Sequence, residues 1–189
     1  YRKWALKIIL FSLVGIIFYL ITPNGGTLMY WILVVGAAGW FFYEASKAKA
    51  SIGKALLLGL FPMIFDWVVE NLGAVWGLWT TKNSLLFVWN VPIEIMIVAT
   101  VGGAAWAMHF PKRFGKIYIL GDSLIFAFYG MLGEILLINN NMMNYGSNWT
   151  SIHAFVGYFV TWWIISFVWY KVVNKQSKQV KQVRSLKKR

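Results

Sequence analysis

Residues 116–138 read KIYILGDSLIFAFYGMLGEILLI, a stretch of the length and apolarity that cross a lipid bilayer as a helix. A bilayer core of about 30 Å needs about 20 apolar residues, because a helix rises about 1.5 Å per residue. Six such segments can be marked along the chain, at 4–22, 28–45, 52–79, 84–110, 116–138 and 151–172. The pattern predicts an all-α polytopic membrane protein, a bundle of six transmembrane helices.

The composition favours the same class. Hydrophobic residues make up 59% of the chain and charged residues 13%, whereas soluble domains carry about 25% charged residues. The first segment, 4–22, is too long for the core of a signal peptide and is predicted to be the first helix. The chain has no cysteine, which excludes disulfides, thiolate nucleophiles and cysteine-ligated metals. High lysine content without cysteine is compatible with a prokaryotic source.

Basic residues are distributed unevenly between the connections. Of the 18 lysines and arginines, all but Lys82 lie in every second connection or at the chain ends. The basic parts are 1–7, 44–54, 111–116 and 171–189, and the connections without charge are 22–27 and 139–150. Because cytoplasmic loops carry the excess of lysine and arginine, this pattern predicts that both termini lie in the cytoplasm (N-in/C-in).

The charge pattern also bears on domain organisation. We expect one transmembrane domain at 1–174 and a basic cytoplasmic tail at 175–189, in the cell membrane. The formal net charge of +12 is shared with many nucleic-acid-binding proteins. Here the basic residues alternate with apolar segments and no aromatic–basic groove motif accompanies them, so we expect no nucleic-acid partner.

The acidic residues all lie within or next to apolar segments. They are Glu44, Asp66, Glu70, Glu94, Asp122 and Glu134. Placing a carboxylate inside a bilayer costs about 3 kcal/mol or more, so such residues mark a candidate functional site. Glu44, near Lys47, and Asp122, near Lys116, lie close to the cytoplasmic boundary, and we expect both to be solvated or paired.

Four ionisable side chains are predicted to share one depth. Counted from the cytoplasmic basic residue of each helix, Glu70, Glu94, Glu134 and His153 lie 16 to 18 residues away, which is about 24–27 Å. Asp66 precedes Glu70 by four residues and therefore shares its helix face. The sequence predicts a catalytic set of Glu94, Glu70, Asp66 and Glu134 in the outer half of the bundle.

The residues around these acids suggest a type of chemistry. Carboxylates held close together repel each other, so at least one should keep its proton and serve as an acid beside an ionised base. Aromatic rings attract cations, and Pro62 and Pro92 are predicted to kink helices three and four. Substrate-binding candidates are His153, Asn90, Trp67, Trp76, Trp89 and Tyr129. Glu70, Glu94, Glu134 and His153 are possible ligands of a hard or borderline metal ion, so a metal site stays open. No HExxH or paired-histidine spacing is present, and we expect neither a metal nor a cofactor.

Part of the chain resembles a known family. The residues are Asp66-Trp67, Trp76-Gly77-Leu78-Trp79 and Asn90-Val91-Pro92-Ile93-Glu94. They are similar to the membrane-embedded lycopene cyclase domain family, which carries an Asp, a tryptophan-containing stretch and a Pro-x-Glu-Glu motif. The resemblance covers about 62–111, and Ile95 stands in place of the second motif glutamate. It implies an all-helical isomerase in which Asp66 and Glu94 help to protonate a polyene end that closes into a ring.

Three functions remain open from the sequence. The first is an intramembrane enzyme that acts on an isoprenoid- or carotenoid-like lipid by alkene protonation, with Glu94 as acid or base. The second is a binding or transport protein for a small solute, a cation or protons, with an acidic cavity open to the outside. The third is a scaffold whose acids serve helix packing. Expected partners are a hydrophobic lipid or isoprenoid substrate and membrane lipids, with a homo-oligomer left open.

Overall fold

The computed structural model describes residues 2–21, 26–49, 51–111 and 115–186, and within them the chain is mostly helical. Lys112, Arg113 and the last three residues of the predicted tail lie outside these residues. The elements are α1 (Arg2–Ile21), α2 (Leu28–Ala48), α3 (Ile52–Leu57), α4 (Leu60–Val75), β1 (Trp79–Thr81), β2 (Phe87–Val88), β3 (Val91–Pro92), α5 (Ile93–His109), α6 (Lys116–Asn139), β4 (Met143–Tyr145) and α7 (Ser151–Leu186).

Within the described residues, four helical stretches are long and apolar enough to cross a membrane. They are α2, α3 with α4 (Ile52–Val75), α6 and the first part of α7 (Ser151–Lys171). The apolar helix α5 is shorter, with 17 residues, and α1 has 20 residues. The backbone of α7 continues without a break to Leu186, so the predicted boundary at 174 is not a helix end.

The predicted kink near Pro62 takes the form of a break between α3 and α4 at Leu58 and Gly59. Gly59 lies directly against the backbone of Thr100 in α5, where a Cβ atom would overlap the Thr100 carbonyl oxygen. Pro62 follows in the first turn of α4, where a missing backbone N–H costs little because that turn has no partner for it. Pro62 thus lies within a helix, as predicted, but in the first turn of α4, and the interruption lies before it at residues 58 and 59.

The predicted helix at 84–110 is also wrong in its first part. α5 begins at Ile93, and Pro92 stands just before it as the N-cap residue rather than inside the helix. The preceding residues form the hairpin β2–β3, in which Phe87 pairs with Pro92 and Val88 with Val91. The physical reason is that proline disfavours helical backbone at the residue before it, which is Val91.

A second strand pair, absent from the sequence prediction, joins two connections. β1, after α4, pairs antiparallel with β4, after α6, in the register Trp79 with Tyr145 and Thr81 with Met143. The pair covers one end of the bundle, which we call the strand end. Met142 and Met143 are buried there beside the first turn of α2. Two connections between helices therefore form one packed layer at the strand end.

Small residues on α5 allow it to pack closely on α2. Ala104 and Ala105 are fully buried, and a Cβ atom on Gly102 would lie 3.7 Å from the Ala37 side chain of α2. Close approach through small residues is the usual way in which apolar helices associate. Trp106, also fully buried, fills the core at the end opposite the strand end, where α6 and α7 pack beside it.

Candidate functional site

α4 places two carboxylates one turn apart near the strand end. Asp66 and Glu70 are four residues apart and thus share a face of the helix. The Oε2 atom of Glu70 accepts a hydrogen bond of 2.8 Å from the indole N–H of Trp79. The Oδ2 atom of Asp66 is buried and has no hydrogen-bond partner among the described residues. The Glu70 carboxylate therefore has a hydrogen-bond donor, whereas the Oδ2 atom of Asp66 has none among the described residues.

α6 contributes the third carboxylate, Glu134, which is 7% exposed. Glu134 lies within electrostatic range of Glu70. The hydroxyl of Tyr145 donates to its Oε2 atom at 2.5 Å, and Tyr158 of α7 also hydrogen-bonds to it. Burial raises the pKa of the Tyr145 phenol above its usual range, so this side chain stays a neutral donor at physiological pH. We call Asp66, Glu70 and Glu134 the acid site.

Two glycines make room for the donors of the acid site. A Cβ atom on Gly73 would overlap the ring of Trp79, and one on Gly130 would lie 2.7 Å from the ring of Tyr158. Glycine lets a ring approach the helix backbone directly because it has no side chain. Gly130 of α6 thus positions the ring that hydrogen-bonds to Glu134.

An aromatic pair lies next to the unpaired acid in the sequence. The rings of Trp67 and Trp89 lie 5.2 Å apart and are tilted by 52°. The indole N–H of Trp67 is buried and lacks a hydrogen-bond partner within the described residues. Trp76, predicted to bind substrate, is 68% exposed.

Glu94 takes part in a different set of contacts from the acid site. It is fully buried, accepts a hydrogen bond from the Ser84 hydroxyl, and accepts another of 3.1 Å from the backbone N–H of Leu85. Both donors precede the β2–β3 hairpin, so the carboxylate ties the connection to the first turn of α5. This arrangement gives Glu94 a structural task that the sequence did not indicate.

The remaining candidates lie on other surfaces. His153 is exposed and its Nδ1 atom lies 3.0 Å from the Thr150 hydroxyl, at the start of α7. Asn90 donates to the side-chain oxygen of Asn71 from its backbone at 3.1 Å. Tyr129 exchanges a 2.7 Å hydrogen bond with a serine of α1. Of the four predicted catalytic carboxylates, Asp66 and Glu134 are within electrostatic range of Glu70.

A second polar cluster lies at the end opposite the strand end. Lys7 of α1 forms an ion pair with Asp122 of α6, and both side chains are 0% exposed. The indole N–H of Trp106 donates to the other oxygen of Asp122 at 2.8 Å. Asp122 was expected to pair near Lys116 or to be solvated, and its actual partners come from two distant helices.

Glu44 extends this cluster. Its carboxylate lies 2.7 Å from Nδ1 of His109, and both residues are buried. The Lys3 ammonium donates to the backbone oxygen of His109. We call Lys3, Lys7, Glu44, His109 and Asp122 the ionic network. Sequence reasoning counted Lys7 as a topology signal and passed over His109, although both lie in apolar segments, where ionisable residues mark candidate sites.

The part of the chain that the structure describes contains no group of three or more histidine, cysteine, aspartate or glutamate side chains arranged to hold a metal ion. No protein-family model, curated protein or solved structure matches the chain. The likeness to the lycopene cyclase domain family therefore stays a prediction based on residues 62–111.

Proposed function

We propose that the chain is an integral membrane protein with six membrane-crossing segments and both termini on the cytoplasmic side. Four helices of sufficient length and apolarity support this. The strand end carries Lys82, whereas Lys47, Lys49 and Lys54 lie at the other end, as the positive-inside rule requires. The contact between Lys3 and His109 puts the chain start at that basic end too.

We further propose that the acid site performs acid–base chemistry on a hydrophobic, isoprenoid-like lipid. The observation that carries this is the buried Oδ2 atom of Asp66, which lacks a hydrogen-bond partner among the described residues. A carboxyl group that is buried without a partner avoids the charged form. Its proton is then available to a substrate that offers no hydrogen bond, such as an alkene.

The other carboxylates suit the return of the proton. Glu70 and Glu134 accept hydrogen bonds from Trp79 and Tyr145, and such a bond stabilises whichever of the two carboxyl groups has given up its proton. Asp66 would add a proton to one alkene carbon, and a second alkene of the same molecule would attack the resulting cation. A neighbouring carboxylate would then remove a proton from carbon. The reaction is a net isomerisation and needs no oxidant.

This assignment differs from the one that the resemblance implies. There Glu94 belongs to the central motif, but its carboxylate is occupied by Ser84 and by the backbone of Leu85. Asp66 is the motif acid whose Oδ2 atom has no such partner among the described residues. We therefore assign the acid to Asp66 and a structural role to Glu94.

The test compares bound lipids in three proteins. Wild type, Asp66→Asn and Glu94→Gln would be purified from isoprenoid-producing cells, extracted with organic solvent and analysed by mass spectrometry. We expect a polyene or prenyl lipid to accumulate in Asp66→Asn, with its cyclised isomer in wild type and in Glu94→Gln. Bulk phospholipid alone in all three samples would contradict the isoprenoid substrate. Accumulation in Glu94→Gln but not in Asp66→Asn would return the acid to Glu94.

One observation favours a second candidate, a proton- or cation-coupled transporter. The ionic network and the acid site lie near opposite ends of one bundle, and Asp122 precedes Glu134 by 12 residues on α6, which is about 18 Å. Ionisable groups at two depths are typical of proton pathways. This candidate predicts cation or solute affinity that changes with pH, and a flat affinity between about pH 5 and 8 would contradict it.

A further inference from the structure

The hairpin segment from Ser84 to Pro92 exposes large apolar side chains although it lies outside the helices. The exposed side chains are Leu85 (67%), Leu86 (59%), Phe87 (39%) and Trp89 (76%). The other side of the segment is anchored, because Val91 and Pro92 are buried against the protein. A contiguous exposed patch of this kind indicates contact with another apolar surface. We call residues 84–92 the apolar hairpin.

The polar backbone groups of the apolar hairpin find partners inside the protein. The N–H of Leu85 donates to Glu94 at 3.1 Å, and that of Leu86 donates to the Ser84 hydroxyl at 3.3 Å. The oxygen of Leu86 accepts from the N–H of Ile93 at 2.9 Å, and the β2–β3 ladder pairs the next residues. In a connection exposed to water, these backbone groups could bind water instead. A connection that contacts lipid must pair its backbone groups within the protein.

The turn of the apolar hairpin is held in place from α4. The side-chain oxygen of Asn71 accepts hydrogen bonds from the backbone and the side chain of Asn90, at 3.1 and 3.3 Å. The Thr81 hydroxyl donates to the oxygen of Asn90 at 3.3 Å. The exposed residues therefore belong to a fixed element whose turn is held against α4.

Trp89, in this turn, has a backbone conformation that suits glycine. Its φ is +61°, a value that bulky L-residues rarely adopt because of steric strain. Its side chain is 76% exposed, so packing within the protein accounts for little of its ring surface. A large ring kept at a strained and exposed position indicates that the ring contacts something outside this chain.

We propose that the apolar hairpin lies in the headgroup layer of the outer membrane leaflet, with the ring of Trp89 and the side chains of Leu85 and Leu86 in contact with lipid. The proposal depends on the proposed membrane location and adds a lipid-binding element to it. Tryptophan is enriched at membrane–water interfaces because its ring is apolar while its N–H remains polar.

Two observations favour lipid over a second protein. The patch adjoins α4, because the ring of Trp89 lies 5.2 Å from that of Trp67. The end of the same helix exposes Leu72, Val75 and Trp76, at 43, 73 and 68%, an apolar surface that would face lipid in the proposed membrane location. In addition, every one of the six carboxylates is buried or half-buried, so no exposed negative charge opposes contact with phospholipid headgroups.

The absence of cysteine from the chain allows the position of single spin labels to be measured. Leu86→Cys would carry a nitroxide in the full chain, reconstituted into phosphatidylcholine–phosphatidylglycerol vesicles. Relaxation by oxygen and by a water-soluble nickel chelate then reports depth. Phe128→Cys, on the exposed face of α6 (47%), is the control for the membrane interior. Asn148→Cys, exposed on the neighbouring connection, is the control for the aqueous side.

We expect the Phe128 label to be deep, the Asn148 label to be aqueous and the Leu86 label to lie between them, in the headgroup layer. Trp89→Gly should move the Leu86 label towards the aqueous value. A deep Phe128 label with an aqueous Leu86 label would overturn the hairpin proposal and leave the membrane location intact. An aqueous Phe128 label would overturn the membrane location itself. A Leu86 label shielded from both reagents would indicate a protein partner and would also overturn the proposal.

Discussion

The buried pair of Lys7 and Asp122 should show opposite effects when one charge or both charges are removed. Both side chains are 0% exposed, and Asp122 also accepts the indole N–H of Trp106. Lys7→Met leaves a carboxylate without its cation in the core. The double variant Lys7→Met/Asp122→Asn removes both charges and keeps an oxygen for Trp106.

The size of the effect follows from burial. Removing one partner of a fully buried ion pair typically costs about 3–5 kcal/mol, whereas replacing both partners by neutral groups costs little. For a chain of this length, each kcal/mol corresponds to about 2–4 °C in Tm. We therefore expect Lys7→Met to lower Tm by about 6–20 °C. The double variant should recover most of that loss.

Thermal unfolding of purified protein in detergent, followed by tryptophan fluorescence, measures these shifts. Lys54→Met is the matched control, because Lys54 is exposed on α3 and its removal should change Tm little. A Tm for Lys7→Met equal to that of Lys54→Met would refute the buried pair. A double variant as unstable as the sum of both single variants would refute the charge-based explanation.

Two further substitutions test the site and the hairpin. Gly130→Ala places a Cβ atom 2.7 Å from the ring of Tyr158, and overpacking of this kind costs about 1–3 kcal/mol. We expect a lower Tm and a loss of turnover, whereas Gly133→Ala, which meets no neighbouring atom within 4 Å, should change neither. Glu94→Ala leaves the N–H of Leu85 without its acceptor at a cost of about 1–3 kcal/mol, while Glu94→Gln retains a carbonyl oxygen. Equal Tm values for the two Glu94 variants would refute its role in holding the hairpin.

The acid site was predictable in part because two of its members are local. Asp66 and Glu70 are neighbours through helical spacing alone, and their presence in an apolar segment marked them from the sequence. Glu134 was included on depth, which a helix fixes by counting residues. Depth gives no information on rotation about a helix axis or on local partners. For this reason Glu94 and His153 were grouped with residues that they do not contact.

The donors to Glu70 and Glu134 come from the connection that follows each acid's own helix, at sequence separations of 9 and 11 residues. The non-local contact is the pairing of β1 with β4, more than 60 residues apart, which holds both Trp79 and Tyr145 at the strand end. A strand of three residues is too short for its sequence pattern to predict such a pairing. Likewise, Pro92 is predicted to kink the fourth helix, whereas the structure has it between the β2–β3 hairpin and the start of α5.

Composition and a helical rise of about 1.5 Å per residue suffice to predict most of the apolar helices, the clustering of basic residues in every second connection and the placement of carboxylates within apolar segments. Tertiary structure alone decided that Lys7 joins Asp122 inside the protein, that Glu44 joins His109, and that an apolar hairpin replaces the start of the fourth helix. These pairings bring together residues up to 115 positions apart. Side chains that distant meet only when helices pack, because packing fixes which face of each helix turns inward.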